Sequence, residues 1–245
     1  MAFDLERFSL VDMLQCGRGI RFAAVGEASA EQVAQSIVSY LYTECVTSGG
    51  GSGAERNCAL VRFYMTVPYR SLEPPLQKFA DGQLGGTRPT PNMKCLTLLA
   101  TIGQLPEWCD RRQSKDHQAI PLPSQQLIEQ APMISQLMKQ MGLDVAAILA
   151  AEGSIVPELA GKTYNVFHVP EARGSPYIPA QAEFVEAYGV RSVVGFGGVL
   201  HTGDLFATVM FARGPIPADA ALRFRTIALD VKAAVHPFAN GKVFG

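Results

Sequence analysis

The densest run of chemically capable side chains is "LPEWCDRRQSKDHQAIPL", residues 105–122, which sets the only tryptophan beside a cysteine, two arginines, a serine and a histidine. If residues 106–112 make one or two helical turns, Trp108 lies three or four positions from Arg111 and Arg112 and shares a face with them. Tryptophan supplies a flat apolar wall, and arginine a planar fork for carboxylate or phosphate. Trp108, Arg111, Arg112 and His117, with Ser114 nearby, are therefore candidates for lining a ligand site in which an arginine anchors an anion. A plainer role fits the same residues: the indole holds a helix on a sheet and both arginines are solvated. The second dense stretch is "HVPEARGSPYIP". There His168 ends a strand, and Glu171, Arg173 and Tyr177 follow on a loop stiffened by prolines, a common setting for binding groups. His168, Arg173 and Tyr177 join the candidates. The competing reading is an internal Glu171–Arg173 pair, with Tyr177 filling a gap.

Thiolate and imidazole also bind iron, copper or zinc, which brings Cys95, Cys109, His117 and His168 forward as an alternative metal or haem set for a redox or gas sensor. No pair of them has standard ligand spacing. Cys109 with His117 is the pair that a small thiol-dependent reductase would use, given a depressed thiol pKa and a base within reach. The sequence has no GxSxG elbow and no HExxH. "GFGG" at 195–198 lies inside a strand pattern, where close backbone approach or a bulge accounts for the glycines. No cofactor is specified by these residues.

The 245 residues are 48% hydrophobic and 18% charged, which suits one large domain with a full core. With 21 basic and 22 acidic residues the net charge is -1, and no long basic run exists. Neither nucleic acid nor an acidic membrane surface is an expected partner. The N-terminus lacks an apolar signal core, and nowhere do about 18 apolar residues run uninterrupted. Five widely spaced cysteines without a CxxC pair read as reduced thiols. A soluble cytoplasmic protein is the expectation.

The elements that must position these residues are legible in outline. A first helix falls within residues 4–15, followed by a break at "CGRG". "SAEQVAQSIVSYLYTEC" is a helix with a Ser29/Gln32 capping box and an apolar stripe of Val33, Ile37, Leu41 and Cys45. "TSGGGSGAERN" is a flexible connection. "CALVRFYMTV" and "KCLTLLATIG" read as buried strands, with a helix over "PPLQKFADGQLG" between them. "HQAIPL" is a short strand or edge. "SQQLIEQAPMISQLMKQMG" holds one or two helices broken at Ala131–Pro132. "YNVFHV" is a strand and "IPAQAEFVEAYG" a short helix. "VRSVVGFGGVL" and "LFATVMFARG" form a hairpin through "HTGD". A last helix runs from about Asp219 to His236, with Phe224, Ile227, Ala228, Val231 and Val235 on one face. The order predicts an α+β sandwich around an antiparallel sheet.

Three stretches, "CALVRFYMTVPYRSL", "NVFHVPEARGSPYIPAQAEFVEAYGVRSVVGFGG" and "GDLFATVMFARGPIP", resemble the GAF-like input domains of bacterial sensor histidine kinases, within the GAF/PAS class. With residues 105–122 the resemblance spans about residues 58–217. It implies a central antiparallel sheet with flanking helices, the N- and C-terminal helices packed together, in one domain over 1–245. Residues 1–28 would form a helical extension, 29–217 the sensor core, and 218–245 the exit helix and tail. It further implies a small-molecule ligand, a homodimer, and relay to a signalling output such as a histidine kinase, without catalysis. No kinase core, phosphoacceptor helix or ATP-binding glycine motif lies in this sequence, so the output is a partner or a fused module.

Overall fold

The computed structural model describes residues 2–47, 55–123, 128, 132–143, 145–150, 164–178 and 180–245. The expected Gly/Ser connection falls largely outside these residues, as does Ala131 of the expected helix break. A short strand β1 (Phe3–Asp4) leads into helix α1 (Leu10–Ala23). Ser9 and Asp12 cap α1 reciprocally, each side chain accepting from the other's backbone N–H. Helix α2 (Ala30–Glu44) starts at Ser29, whose Oγ accepts from Gln32 N at 3.2 Å. Gln32 reaches back to the amide of Ala28 rather than to that of Ser29.

One expectation fails here. The chain does not break at "CGRG"; α1 continues through it. A Cβ on Gly17 would overlap the carboxylate of Asp230, and one on Gly19 the phenol of Tyr40. The glycines let two neighbours come close, and that packing overrides a helix penalty of about 1 kcal/mol each.

Strands β2 (Cys45–Thr47) and β3 (Glu55–Arg56) complete a small sheet with β1. The main sheet begins with β4 (Cys58–Pro68), followed by α3 (Pro74–Gln83) and β5 (Lys94–Gly103). Residues 106–113 form two single 3-10 turns, Pro106–Trp108 and Arg111–Gln113, and β6 (Ala119–Pro121) is the edge strand that Pro121 suggested. Then come α4 (Pro132–Met141), stopped by Gly142 at φ 71, and α5 (Val145–Ala150). Strand β7 (Phe167–Val169), a π-helical turn (Gln181–Glu186), the hairpin β8 (Ser192–Val199) and β9 (Leu205–Ala212), and α6 (Ala218–Val235) follow.

The six-stranded sheet has the order β6-β5-β4-β9-β8-β7, antiparallel throughout. This is the α+β layering expected from the sequence, a central antiparallel sheet with flanking helices. Helices α1, α2 and α6 cover one face, where Val61, Phe63, Phe196 and Phe206 meet Ile37, Leu41, Phe224 and Ile227 in one core. The terminal helices α1 and α6 pack together and are joined by an Arg21–Asp230 ion pair. A second core lies on the other face, under the turns, α4 and the irregular segment around 164–190.

Candidate functional site

Side chains alternate across a strand, and register partners on neighbouring strands share a face. On β4, Val61, Phe63, Met65 and Val67 point at the helices, so Leu60, Arg62, Tyr64 and Thr66 point the other way. Arg62 is paired in register with Thr101 on β5 and with Val209 on β9. Val209 in turn pairs with Gly195 on β8, and Gly195 with Phe167 on β7. One row across the sheet thus reads Thr101, Arg62, Val209, Gly195, Phe167. Its polar end lies on β4 and β5.

Among the described residues, five buried side-chain nitrogen or oxygen atoms have no hydrogen-bond partner, and two of them, Arg62 Nε and Thr101 Oγ1, belong to this one cross-strand pair. An unpartnered buried polar atom costs about 1–3 kcal/mol, so two on neighbouring positions call for an explanation and make this row the candidate site. The rest of the guanidinium is weakly held. Nη1 donates to Tyr64 Oη at 3.3 Å and Nη2 to Ser114 Oγ at 3.4 Å. No carboxylate among the described residues forms an ion pair with Arg62. Arg62 and Tyr64 are half-buried, whereas Leu60, Thr66, Thr101 and Val209 are buried, so the row is reachable at its charged member.

The stretch 105–118 lies over this end of the sheet. Trp108 sits on Gly103, where a Cβ would stand 2.7 Å from the indole, and its ring meets Tyr188 at 4.6 Å and Phe184 at 5.7 Å. Gly103 pairs in register with Leu60, one row from Arg62. Ser114 is buried; its Oγ accepts from Arg62 and donates to the carbonyl of Asp116 at 2.7 Å. His117 is the one non-glycine at positive φ among the described residues, at 63°. His117 is exposed as a residue, yet burial of its imidazole, and then the nearby Arg62 guanidinium, hold it below the ordinary histidine value.

The other sequence candidates go elsewhere. Arg111 turns away from the row: Nε donates to Glu31 at 2.5 Å, Nη2 to Glu73 at 2.7 Å, and the guanidinium lies 5.0 Å from the Phe244 ring centroid. Burial works against its charge, but the hydrogen bonds it donates to Glu31 and Glu73 outweigh that and raise its pKa. Arg112 is exposed, 3.8 Å from Glu31. His168 Nε2 meets the carbonyl of Ile216 at 2.8 Å, ahead of α6, so the edge strand is tied toward the helix face. Arg173 is exposed, 3.9 Å from Glu186, while Glu171 accepts from its backbone amide. Tyr177 packs on the second core. Strand β7 lies three strand spacings, about 14 Å, from β4, so the second stretch does not join the first at Arg62.

Among the described residues no group of three His, Cys, Asp or Glu side chains is placed to hold a metal ion. The Cys95 thiol is buried and pushed up to about 12, chiefly by that burial. The exposed Cys109 donates to the carbonyls of Gly103 and Leu105, both at 3.5 Å, and no described hydrogen bond joins it to His117. The sequence did carry a signal for the missed residue: a single charge within "CALVRFYMTV", on the strand face shared with Leu60 and Tyr64.

No family model matches the chain, and no curated protein matches it. Solved structures similar to it include a free methionine-R-sulfoxide reductase from Neisseria meningitidis in complex with its substrate, at 11% identity and TM-score 0.49, over 94% of this chain and 92% of that one. The GAF domain of a phosphoenolpyruvate-protein phosphotransferase from Coxiella burnetii is similar at 12% identity and TM-score 0.42, over 92% and 93%. The chromophore-binding domain of a bacteriophytochrome from R. palustris is similar at 8% identity and TM-score 0.43; 95% of this chain covers 64% of that one. At such identities and scores none of these likenesses carries an activity, a ligand or a partner to this chain.

Proposed function

We propose that the chain is a sensory module that binds a small molecule on the sheet face around Arg62 and passes its occupancy to a signalling output. The observation that carries this reading is the Arg62–Thr101 pair, two unpartnered buried polar atoms side by side under a half-open surface. Trp108, Tyr64, Ser114 and His117 frame it. The output, a histidine kinase or another module, separate or fused, would read the terminal helices in the cytoplasm.

The packing offers a route. Phe196 on β8 meets Phe224 of α6 at 5.0 Å, and Phe224 stacks on Phe8, just ahead of α1, at 5.1 Å. A ligand that binds one arrangement of sheet and helices more tightly than another shifts the population between them. The outer surfaces of α1 and α6 expose Leu10, Val11, Leu14, Phe22, Leu222 and Leu229, and Val25 just past α1 is exposed beside them. Such a surface suits a second copy of the chain, whose helices would respond together.

A thermal-shift screen of neutral, anionic and cationic metabolites on the purified chain tests the reading. Stabilising ligands are expected, and Arg62→Ala is expected to lose their effect. A screen in which no ligand of any charge stabilises the protein would remove the sensory reading. For the dimer, concentration-dependent mass that Leu14→Glu abolishes is expected; a monomer at all concentrations would rule it out.

A further inference from the structure

We infer that the ligand held at Arg62 is a singly charged carboxylate carried on an apolar body. The inference rests on the sensory reading above and deepens it.

The first argument is the chemistry of the unused groups. Arg62 Nε–H has no acceptor, and Thr101 has no partner at all. Tyr64 Oη accepts from Arg62, which leaves its own proton free to donate. Three donors therefore converge on one patch of the sheet. The oxygen that does face Arg62 from the loop above, Ser114 Oγ, has already given its proton to the carbonyl of Asp116. Three N–H and O–H donors beside one guanidinium suit a ligand group that accepts, and the planar pair of oxygens of a carboxylate matches the edge of a guanidinium.

Charge counting comes second. Arg62 is half-buried, and no carboxylate among the described residues forms an ion pair with it. A half-buried charge without a partner is unfavourable, and a monoanion neutralises it. A dianion would leave one negative charge over in the same place. The neighbouring His117 is held below the ordinary histidine value by burial and by the Arg62 guanidinium itself.

The third argument is the surface next to the charge. Val209 is on the same row, Leu60 and Ala207 are on the adjoining rows, and all three are buried and apolar. Trp108 stands over Gly103 beside Leu60. These surround the donors with apolar wall, which fits an aliphatic or aromatic body on the acid rather than a small hydrated ion.

Trp108 is the only tryptophan, so its fluorescence reports on this end of the sheet without labelling. The test titrates the full chain with straight-chain monocarboxylates of increasing length, their matched amides, and alkyl phosphates. Saturable binding is expected for the carboxylates, growing with chain length, with the amides at least about tenfold weaker, the loss of one charge-assisted pair. Arg62→Met is expected to abolish carboxylate binding, Arg62→Lys to keep part of it, and Thr101→Val to weaken it. Because Arg62 loses only two long bonds to hydroxyls and no ion pair among the described residues, Arg62→Met is also expected to melt close to the wild-type temperature. Equal binding of acids and amides would overturn the inference. So would alkyl phosphates outbinding the carboxylates, no binding of any carboxylate, or an Arg62→Met protein that melts far below wild type. If these acids fail while a neutral or cationic compound from the screen binds, the anion inference falls and the sensory reading stands.

Discussion

Two arginines, Arg111 and Arg62, show what pairing does to a buried charge. The Arg111 side chain is 5% exposed and holds two carboxylates, Glu31 on α2 and Glu73 just ahead of α3. Gly245 at the end of the chain donates to the same Glu31 at 2.9 Å. Nε and Nη2 of Arg111 are both taken by carboxylates, and the result is a knot that ties helices, sheet edge and tail together. Arg62 has long bonds to two hydroxyls and an unpartnered Nε. One guanidinium is structure; the other, on the reading proposed above, is the anchor of a ligand. A buried charge stabilises the fold only through its partners.

The comparison can be broken by substitution. Arg111→Met leaves Glu31 and Glu73 facing each other without their cation and should cost about 3 kcal/mol, read by denaturant unfolding. A loss under about 1 kcal/mol would mean the pairs are as weak as exposed ones. Arg62→Met should cost little by the same measurement, and any contrast of the opposite sign would erase the distinction. A control in the helix layer comes next in size. Gly19→Leu pushes a side chain into Tyr40, and overpacking of this kind costs about 1–3 kcal/mol without touching Arg62 or Arg111.

Smaller effects sharpen the contrast through pH. Burial alone would raise the Glu31 carboxyl, but the Arg111 hydrogen bond, helped by the Gly245 amide, holds it below the ordinary value of 4.5. Its folded pKa is depressed, so its stabilising contribution is complete above about pH 4.5 and is lost as pH falls through the lower, folded value. Acid titration of unfolding should show that loss in the wild type and a smaller one in Arg111→Met. At Arg62 the signature is in binding. His117 is held below 6.5 by burial and by the Arg62 guanidinium. A carboxylate on Arg62 offsets that repulsion and raises His117, so binding takes up protons. Affinity should grow a few-fold as pH falls from above 7 toward the lowered value, then level off. His117→Gln should flatten the profile; an unchanged slope would show that another group sets it.

Much of the scaffold could be read in one dimension because it depends on local chemistry. The α2 stripe of Val33, Ile37, Leu41 and Cys45 is wholly buried, as its four-residue spacing requires. The hairpin between β8 and β9 closes at "HTGD" with Gly203 at φ 78, a conformation glycine adopts without strain. The site was half legible. Trp108, Ser114 and His117 were picked out by type and spacing and do lie at the Arg62 end of the sheet. Arg62 was hidden inside a strand that reads as apolar, because its neighbours on both sides are buried and alternation alone does not say which face stays open. Arg111 and Arg112 are adjacent and chemically alike, and nothing in their immediate sequence reveals that one is buried against carboxylates 80 and 38 positions away while the other stays largely exposed, at the edge of the same Glu31.

The sequence by itself determined the elements, their order and the α+β class, since helix stripes, strand content and turn residues act over a few positions. It also determined which residue types were on hand. Only the tertiary structure decided that Gly17 and Gly19 lie inside a helix, that Arg111 is neutralised, and that Arg62 Nε and Thr101 Oγ1 meet on one row without partners among the described residues. Burial and charge pairing are properties of space, summed over residues far apart in the chain, and they exist only once the sheet and helices have closed on each other.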